Sequence, residues 1–308
     1  MYKNNWVLRL DEGAENAINE ALGVSDKVKE ESIRILHYIY GKIKAFKPGN
    51  GANMKITEET INVDYSPDFT VPVIIKVYWF ANDEIRKEYR KRFPKPNPAY
   101  SKDDEDIKME IDVINGWFDT YEFMYLIQHE LHHGYQYFCK KRNSIGYEPN
   151  TPYYNKAIKF LAMPDEDERA AGAAVYLWGT HEMSAYENGI YARLMQNFKS
   201  KDKQPITNVI HETSFYEMYL SILSLQRKLI GGADVPGLFN MSFGIPKTKL
   251  LNIIGKVLKK AQDIMAKAVA KAKIDYEEWI ETNGYGTNSD PYEYGSAKPL
   301  TENKVRLY

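Results

Sequence analysis

The sequence predicts an α+β fold, in which a small mixed sheet packs on helices and the C-terminal half is mainly helical. Residues 53–63 and 69–80 are rich in β-branched and aromatic residues, which favour strands. Residues 106–114 alternate apolar and polar side chains, the pattern of a half-buried strand, with the apolar set Ile107, Met109, Ile111 and Val113. After residue 120, apolar residues recur mainly at helical spacing.

Helical patterns account for most of the remaining chain. Residues 25–45 place apolar side chains along one stripe of a helix, and the chain Lys47-Pro48-Gly49 ends it. Acidic residues after Pro164 are typical of a helix start, and Gly179 is expected to break that helix just before Glu182. Further helices are predicted over residues 11–22, 86–92, 154–161, 213–229 and 247–280.

The chain is long enough for one large domain with a sizeable core, since it has 308 residues, of which 44% are hydrophobic. We expect one domain over residues 1–282, with its sheet in about 50–120 and its helical part in about 120–282. Residues 283–308 form a polar, turn-rich tail. Such a tail does not fold alone, so we expect that other subunits of a large assembly could hold it.

Composition argues against several classes of partner. The net charge of −1 gives no electrostatic reason to expect nucleic acid. A single cysteine excludes an internal disulfide framework and suits a reducing compartment. No apolar signal segment begins the chain, and no apolar run is long enough to cross a membrane. We therefore expect a cytoplasmic protein without a membrane partner.

The sequence His129-Glu130-Leu131-His132-His133 carries the strongest chemical signal. Residues four apart lie on the same face of a helix, so the imidazoles of His129 and His133 can reach one ion. Glu130 lies about 100° around the helix, where its carboxylate can reach a water bound to that ion. Nitrogen and oxygen ligands suit Zn²⁺, and a catalytic zinc keeps one position for water. The pattern predicts a zinc site with a general base beside it.

A zinc site needs a third protein ligand, which this helix does not supply. The later stretch His181-Glu182-Met183-Ser184-Ala185 resembles the second helix of the gluzincin group of zincin metallopeptidases. That resemblance implies a zincin-like fold, with Glu182 as the third zinc ligand and small residues that let the two helices pack closely. His181 and Glu187 remain alternative ligands, although both point away from the direction of Glu182 on a helix.

The metzincin pattern, by contrast, does not fit. Its glycine position holds Gln136 and its last ligand position holds Cys139. Without the glycine turn we expect the helix to continue, which would carry Cys139 away from the ion as a small hydrophobe.

The resemblance implies that the protein hydrolyses peptide bonds in a peptide or protein substrate. Glu130 would be the general base, and the strand 106–114 would be the edge strand that pairs with the substrate backbone. A donor to the charge that develops on the carbonyl oxygen is also expected. Tyr186, His211 and Tyr216 are the candidates for this donor.

A second hypothesis belongs to another class of function. Zincin-like domains of this pattern look similar to ones encoded by tailed bacteriophages, so the chain could be a structural component of a virion, such as a tail or ring protein. Fold does not fix function, and such a protein could keep its zinc with or without activity. A peptidase that acts as an effector in a host cell is a third hypothesis, and the sequence does not separate it from a housekeeping enzyme.

Overall fold

The computed structural model of the chain describes residues 28–43, 53–66, 69–95, 99–101, 105–141, 154–178, 180–200 and 203–283. The predicted helix over 11–22, the side chain of Cys139 and the tail from residue 284 lie outside these residues. Within the described stretches, no helix combines the length and the apolar character needed to cross a bilayer.

A four-stranded mixed sheet forms one part of the structure. Its strands are β1 (Met54–Ser66), β2 (Phe69–Phe80), β3 (Ala99–Ser101) and β4 (Asp106–Ile114), in the spatial order β1-β2-β4-β3. The β1/β2 and β3/β4 pairs are antiparallel, whereas β2 and β4 are parallel. The three strands predicted from the sequence are confirmed, and the short β3 is an addition that the sequence did not indicate.

The expectation that residues 106–114 form the edge strand is wrong as stated, because β3 takes the edge position. β3 pairs only with Asp106, Ile107 and Lys108 of β4. From Met109 to Val113, the outer edge of β4 has no strand partner among the described residues, and Ile114 forms a β-bridge with Trp117. The short, irregular segment before β4 supplies the extra strand, and its sequence carries no strand pattern that could have predicted it.

The predicted alternation along β4 is confirmed. The side chains of Ile107, Met109, Ile111 and Val113 are buried, together with the odd-numbered residues of β2 from Phe69 to Trp79. This inner face packs with helix α1 (28–43) and with the helix that follows β4. Helix α2 (Asp83–Arg92) covers the opposite face of the sheet. The guanidinium of its Arg90 lies 2.7 Å from the carboxylate of Glu110 and 2.6 Å from that of Asp112. As predicted, α2 itself buries no residue.

The remaining helices are α3 (Thr120–Lys141), α4 (Tyr154–Phe160), α5 (Glu166–Trp178), α6 (Thr180–Lys199), α7 (Ile206–His211), α8 (Ser214–Ile230), α9 (Gly237–Phe243) and α10 (Lys247–Asn283). The helices predicted around 154–161, 213–229 and 247–280 are confirmed, and the helix break predicted at Gly179 falls on a residue outside the described ones, between the end of α5 and the start of α6. The short helices α7 and α9 were not predicted. The structure therefore confirms a mixed α+β protein that is mostly helical.

Helices α3 and α6 lie antiparallel between two apolar cores. One core joins the sheet to α1 and to the face of α3 that carries Phe123 and Ile127. The other core joins α5, α6, α8, α9 and α10. Contacts of Glu122 with Arg193 near one end and of Gln136 with Ser184 near the other define the antiparallel arrangement. A side chain placed on either facing surface of this pair is therefore enclosed from both sides.

Candidate metal centre

The His-Glu-x-x-His sequence lies on helix α3. Another face of this helix is apolar and holds it against the sheet. Asp119 accepts a hydrogen bond from the backbone N–H of Glu122 at 2.9 Å, which caps the start of the helix. Phe123, Ile127 and Leu131 are buried and form one side of the helix against the sheet core. The helix continues through Lys141, as expected from the absence of a glycine turn. His129 and His133 consequently lie on one continuous helical face.

Glu182 reaches this face from the first turn of α6. Its side chain is almost fully buried, with 1% of the residue exposed. The small residue Ala185, fully buried one turn later, and Gly189 on the same side allow the two helices to approach closely. A Cβ on Gly189 would lie 2.9 Å from the backbone oxygen of Tyr125. Close helix packing therefore places a carboxylate against the two imidazoles.

The structure brings His129, His133 and Glu182 together as a group that can hold a metal ion. The Nε2 atoms of the two histidines are 3.1 Å apart. The Oε2 atom of Glu182 lies 3.7 Å from Nε2 of His129 and 3.4 Å from Nε2 of His133. These three donor atoms, one from each residue, form a compact triangle.

The dimensions of this triangle fit a single zinc ion. Zinc binds histidine nitrogen and carboxylate oxygen at about 2.0–2.1 Å, and two such ligands in a tetrahedral site are about 3.3 Å apart. The measured separations of 3.1, 3.4 and 3.7 Å bracket that value. Three protein ligands leave a fourth position, which is the arrangement of catalytic rather than structural zinc sites. The donor set alone does not identify the metal, because other divalent ions accept the same atoms.

Burial and charge act in opposite directions on the two histidines. Burial, reinforced by the neighbouring His133, lowers the pKa of His129 to about 3. Burial also opposes a charge on His133, but the carboxylate of Glu182 outweighs it and raises the pKa of His133 to about 9. Burial and charge therefore favour a neutral His129 and an additional proton on His133, next to the carboxylate of Glu182. A bound cation would take the place of that proton.

Glu130 lies beside the triangle and does not belong to it. Its Oε1 atom is 4.0 Å from Nε2 of His129, and the residue is buried with 6% exposed. Glu130 is not part of the group of three that can hold an ion, yet its carboxylate is close enough to contact a water molecule bound there. The expected division of roles between Glu130 and the three ligands is therefore geometrically reasonable.

The structure separates the candidate hydrogen-bond donors. The ring of Tyr186 packs on that of His129, with centroids 4.3 Å apart, and burial raises its pKa well above the ordinary tyrosine value. His211 and Tyr216 stack on each other with centroids 4.1 Å apart, and His211 is exposed. No described contact joins His211 or Tyr216 to the three metal-binding residues. Tyr186 alone of the three lies at the site.

Tyr176 is a site residue that the sequence analysis missed. Its hydroxyl donates a hydrogen bond to Oε2 of Glu182 at 2.5 Å, the same oxygen that faces the histidines. Tyr176 lies on α5, a helix rich in alanine. The sequence offered one signal, a tyrosine in an alanine-rich helix. It could not show that this side chain reaches Glu182, because that depends on how α5 packs against α6.

The alternative third ligands have different outcomes. The side chain of His181 lies outside the described residues. Glu187 is half-buried, and burial raises its pKa while lysines of α10, chiefly Lys267 and Lys271, lower it. Glu187 therefore faces α10 rather than the imidazoles, and Glu182 is the ligand that the geometry favours.

Comparison of the chain with known protein families, with curated proteins and with solved structures gives no match. The resemblance to gluzincins consequently rests on His129, Glu130, His133 and Glu182 and on their arrangement in this structure.

Proposed function

We propose that this protein is a zinc-dependent metallopeptidase with a zincin-like fold. The observation that carries the proposal is the triangle of His129, His133 and Glu182, with the carboxylate of Glu130 next to it. A three-ligand site with an adjacent unligated carboxylate is the minimum that metal-assisted hydrolysis requires. The substrate would be a peptide or protein, as the resemblance implies.

In this proposal each residue has a distinct task. His129, His133 and Glu182 would hold the zinc, which when bound polarises the scissile carbonyl and acidifies a water molecule. Glu130 accepts the proton of the attacking water and returns it to the leaving amine. Tyr176 holds Oε2 of Glu182 in place through its hydroxyl. Tyr186, packed on His129, is the donor best placed to stabilise charge on the carbonyl oxygen.

The outer edge of β4 from Met109 to Val113 is the surface that we propose for an extended substrate. Its backbone groups have no strand partner among the described residues, and an added strand could pair with them. β4 runs directly into the turn before α3, so this surface belongs to the same part of the fold as the site.

A structural role with a retained zinc is the second candidate, and burial of the site favours it. His129, Glu130 and Glu182 are at most 6% exposed, which restricts the approach of a substrate. In that case the ion would hold α3 against α6 in an assembly protein, such as the virion component suggested by the resemblance. The two candidates share the metal site and differ in whether Glu130 is needed.

Glu130→Gln distinguishes them. Loss of the carboxylate should reduce cleavage of an unfolded, fluorescently labelled casein by about 10²- to 10⁴-fold, because a general base contributes that much to the rate. Zinc content and thermal stability of Glu130→Gln should match those of the wild type, since Glu130 is not a ligand. Cleavage at the wild-type rate by the variant would contradict the peptidase proposal, and zinc-loaded wild-type protein without cleavage of any labelled protein would favour the structural role.

A further inference from the structure

Gln136 lies one turn after His133 on α3 and is buried, with 4% exposed. Its side-chain oxygen Oε1 is 3.0 Å from Nδ1 of His133. Its side-chain nitrogen Nε2 donates a hydrogen bond to Oγ of Ser184 on α6 at 2.7 Å. Both ends of this amide are therefore engaged, one with a metal-binding histidine and the other with the helix that carries Glu182.

The contacts of Ser184 define the direction of these hydrogen bonds. Asn188 Nδ2 donates to the backbone oxygen of Ser184 at 2.9 Å and lies 3.2 Å from Nδ1 of His132. With Nδ1 accepting, a neutral His132 carries its proton on Nε2, which lies 3.2 Å from Oγ of Ser184 and donates to it. Oγ of Ser184 also accepts from Nε2 of Gln136, and the oxygen of Gln136 faces His133.

This orientation determines the tautomer of His133. Because Oε1 of Gln136 can only accept, Nδ1 of His133 carries a proton, and Nε2 is the nitrogen left to bind a metal that displaces its other proton. Nε2 is the atom that lies 3.1 Å from Nε2 of His129 and 3.4 Å from Oε2 of Glu182. The opposite tautomer would place a hydrogen where the metal must bind.

We propose that Gln136 is a positioning residue of the metal centre, which holds His133 in its metal-binding tautomer and links it through Ser184 to the helix of Glu182. The inference rests on the metal site of the proposed function. Partners of this kind on metal-binding histidines change metal affinity by about 10- to 100-fold. The spacing of three residues from His133 places Gln136 on the same helical face, but Ser184, 48 positions away, was not predictable as its partner.

A second glutamine on α3 provides a matched control. Gln128 is buried with 3% exposed, and its Nε2 donates to Oγ of Ser32 on α1 at 2.9 Å. The chemistry is the same as in the Gln136–Ser184 contact, but Ser32 is not a metal-binding residue. Gln128→Met and Gln136→Met therefore remove equivalent hydrogen bonds from the same helix.

The test measures zinc affinity of the full chain by competition with a chromophoric chelator, and the absorption spectrum of the Co²⁺-loaded protein. Gln136→Met should weaken zinc binding about 10- to 100-fold and change the Co²⁺ spectrum. Gln136→Glu keeps an acceptor for Nδ1 of His133 and should restore affinity to within about threefold of the wild type. Gln128→Met should lower thermal stability without changing zinc affinity or the spectrum.

Two results would overturn this inference and leave the proposed function in place. The first is tight zinc binding by the wild type together with a zinc affinity of Gln136→Met within about threefold of the wild-type value. The other is an equal loss of affinity in Gln128→Met, which would show a general effect of destabilising α3. If Gln136→Met does not fold, Gln136→Glu and Ser184→Ala decide, since the inference requires zinc binding to persist in the first and weaken in the second. A wild-type protein that binds no zinc would overturn the proposed function and this inference together.

Discussion

Two buried carboxylates show how single residues in this protein divide between structure and chemistry. Glu168 of α5 is 5% exposed and accepts hydrogen bonds at 2.7 Å from the backbone N–H groups of Leu238 and Phe239. Its charge is thereby satisfied by the first turn of α9. Glu182 instead faces two imidazoles and one tyrosine hydroxyl. Burial alone would not distinguish the structural carboxylate of Glu168 from the metal-binding carboxylate of Glu182. The groups that contact each carboxylate do distinguish them.

Glu168→Ala should destabilise the fold by about 2 to 4 kcal/mol, because two buried N–H groups lose a charged acceptor. Thermal or urea unfolding of the variant would measure this loss, with zinc content unchanged. Glu166→Ala removes an exposed acid from the same helix turn and should change stability by about 0.5 kcal/mol or less. Equal stability of the two variants would contradict a capping role for Glu168.

At the scale of elements, the antiparallel pair of α3 and α6 forms the site. The imidazoles come from one helix and the carboxylate from the other, so the distance between the helices sets the size of the triangle. Gly189 faces Tyr125 where the two helices touch, and a Cβ there would lie within 2.9 to 3.1 Å of the backbone and ring of Tyr125. Backbone atoms cannot move aside as a flexible side chain can.

Gly189→Ala should therefore push α3 and α6 apart, with a loss of about 1 to 3 kcal/mol in stability. Zinc affinity should fall in the same variant because Glu182 moves with α6. The control is Gly255→Ala in α10, where a Cβ would meet nothing within 4 Å. Helix propensity alone should make that change neutral or stabilising by up to about 1 kcal/mol. A Gly189→Ala protein as stable as the wild type would contradict the close approach of the two helices.

Sequence patterns predicted elements well where burial imposes a period. Alternation along residues 106–114 and helical spacing around His129 each depend only on neighbours in the chain. The short β3 and the contacts of Tyr176 and Gln136 depend on which segments meet, which no local pattern records. The edge position of β4 was misjudged for the same reason. The two histidines of the metal triangle were predictable from their helical spacing, and Glu182 from the resemblance of residues 181–185 to gluzincins.

At the scale of the whole molecule, the site lies where two apolar cores meet. α3 contributes buried side chains to the core of the sheet, and α6 contributes mainly to the helical core. A zinc ion bound by both helices would connect these cores at one point. Its binding energy would then add to the stability of the native state, since the unfolded chain does not hold the three ligands together.

Removal of zinc by a chelator should lower the melting temperature of the wild type by about 4 °C. This value corresponds to about 2.7 kcal/mol of linkage at a hundredfold excess of zinc over its dissociation constant. Differential scanning calorimetry with and without added zinc measures the shift. Glu130→Gln should show the same shift as the wild type, because it retains all three ligands. A melting temperature independent of zinc would mean that the ion does not hold α3 to α6.

The zinc content of purified protein tests the central claim most directly, measured on the wild type and Glu182→Ala side by side. We expect one zinc per wild-type chain and little or none in the variant, because Glu182 supplies the only carboxylate oxygen within the described triangle. One zinc retained in Glu182→Ala would place the third ligand elsewhere. No zinc in the wild-type protein after purification with added zinc would contradict the metal centre and the function built on it.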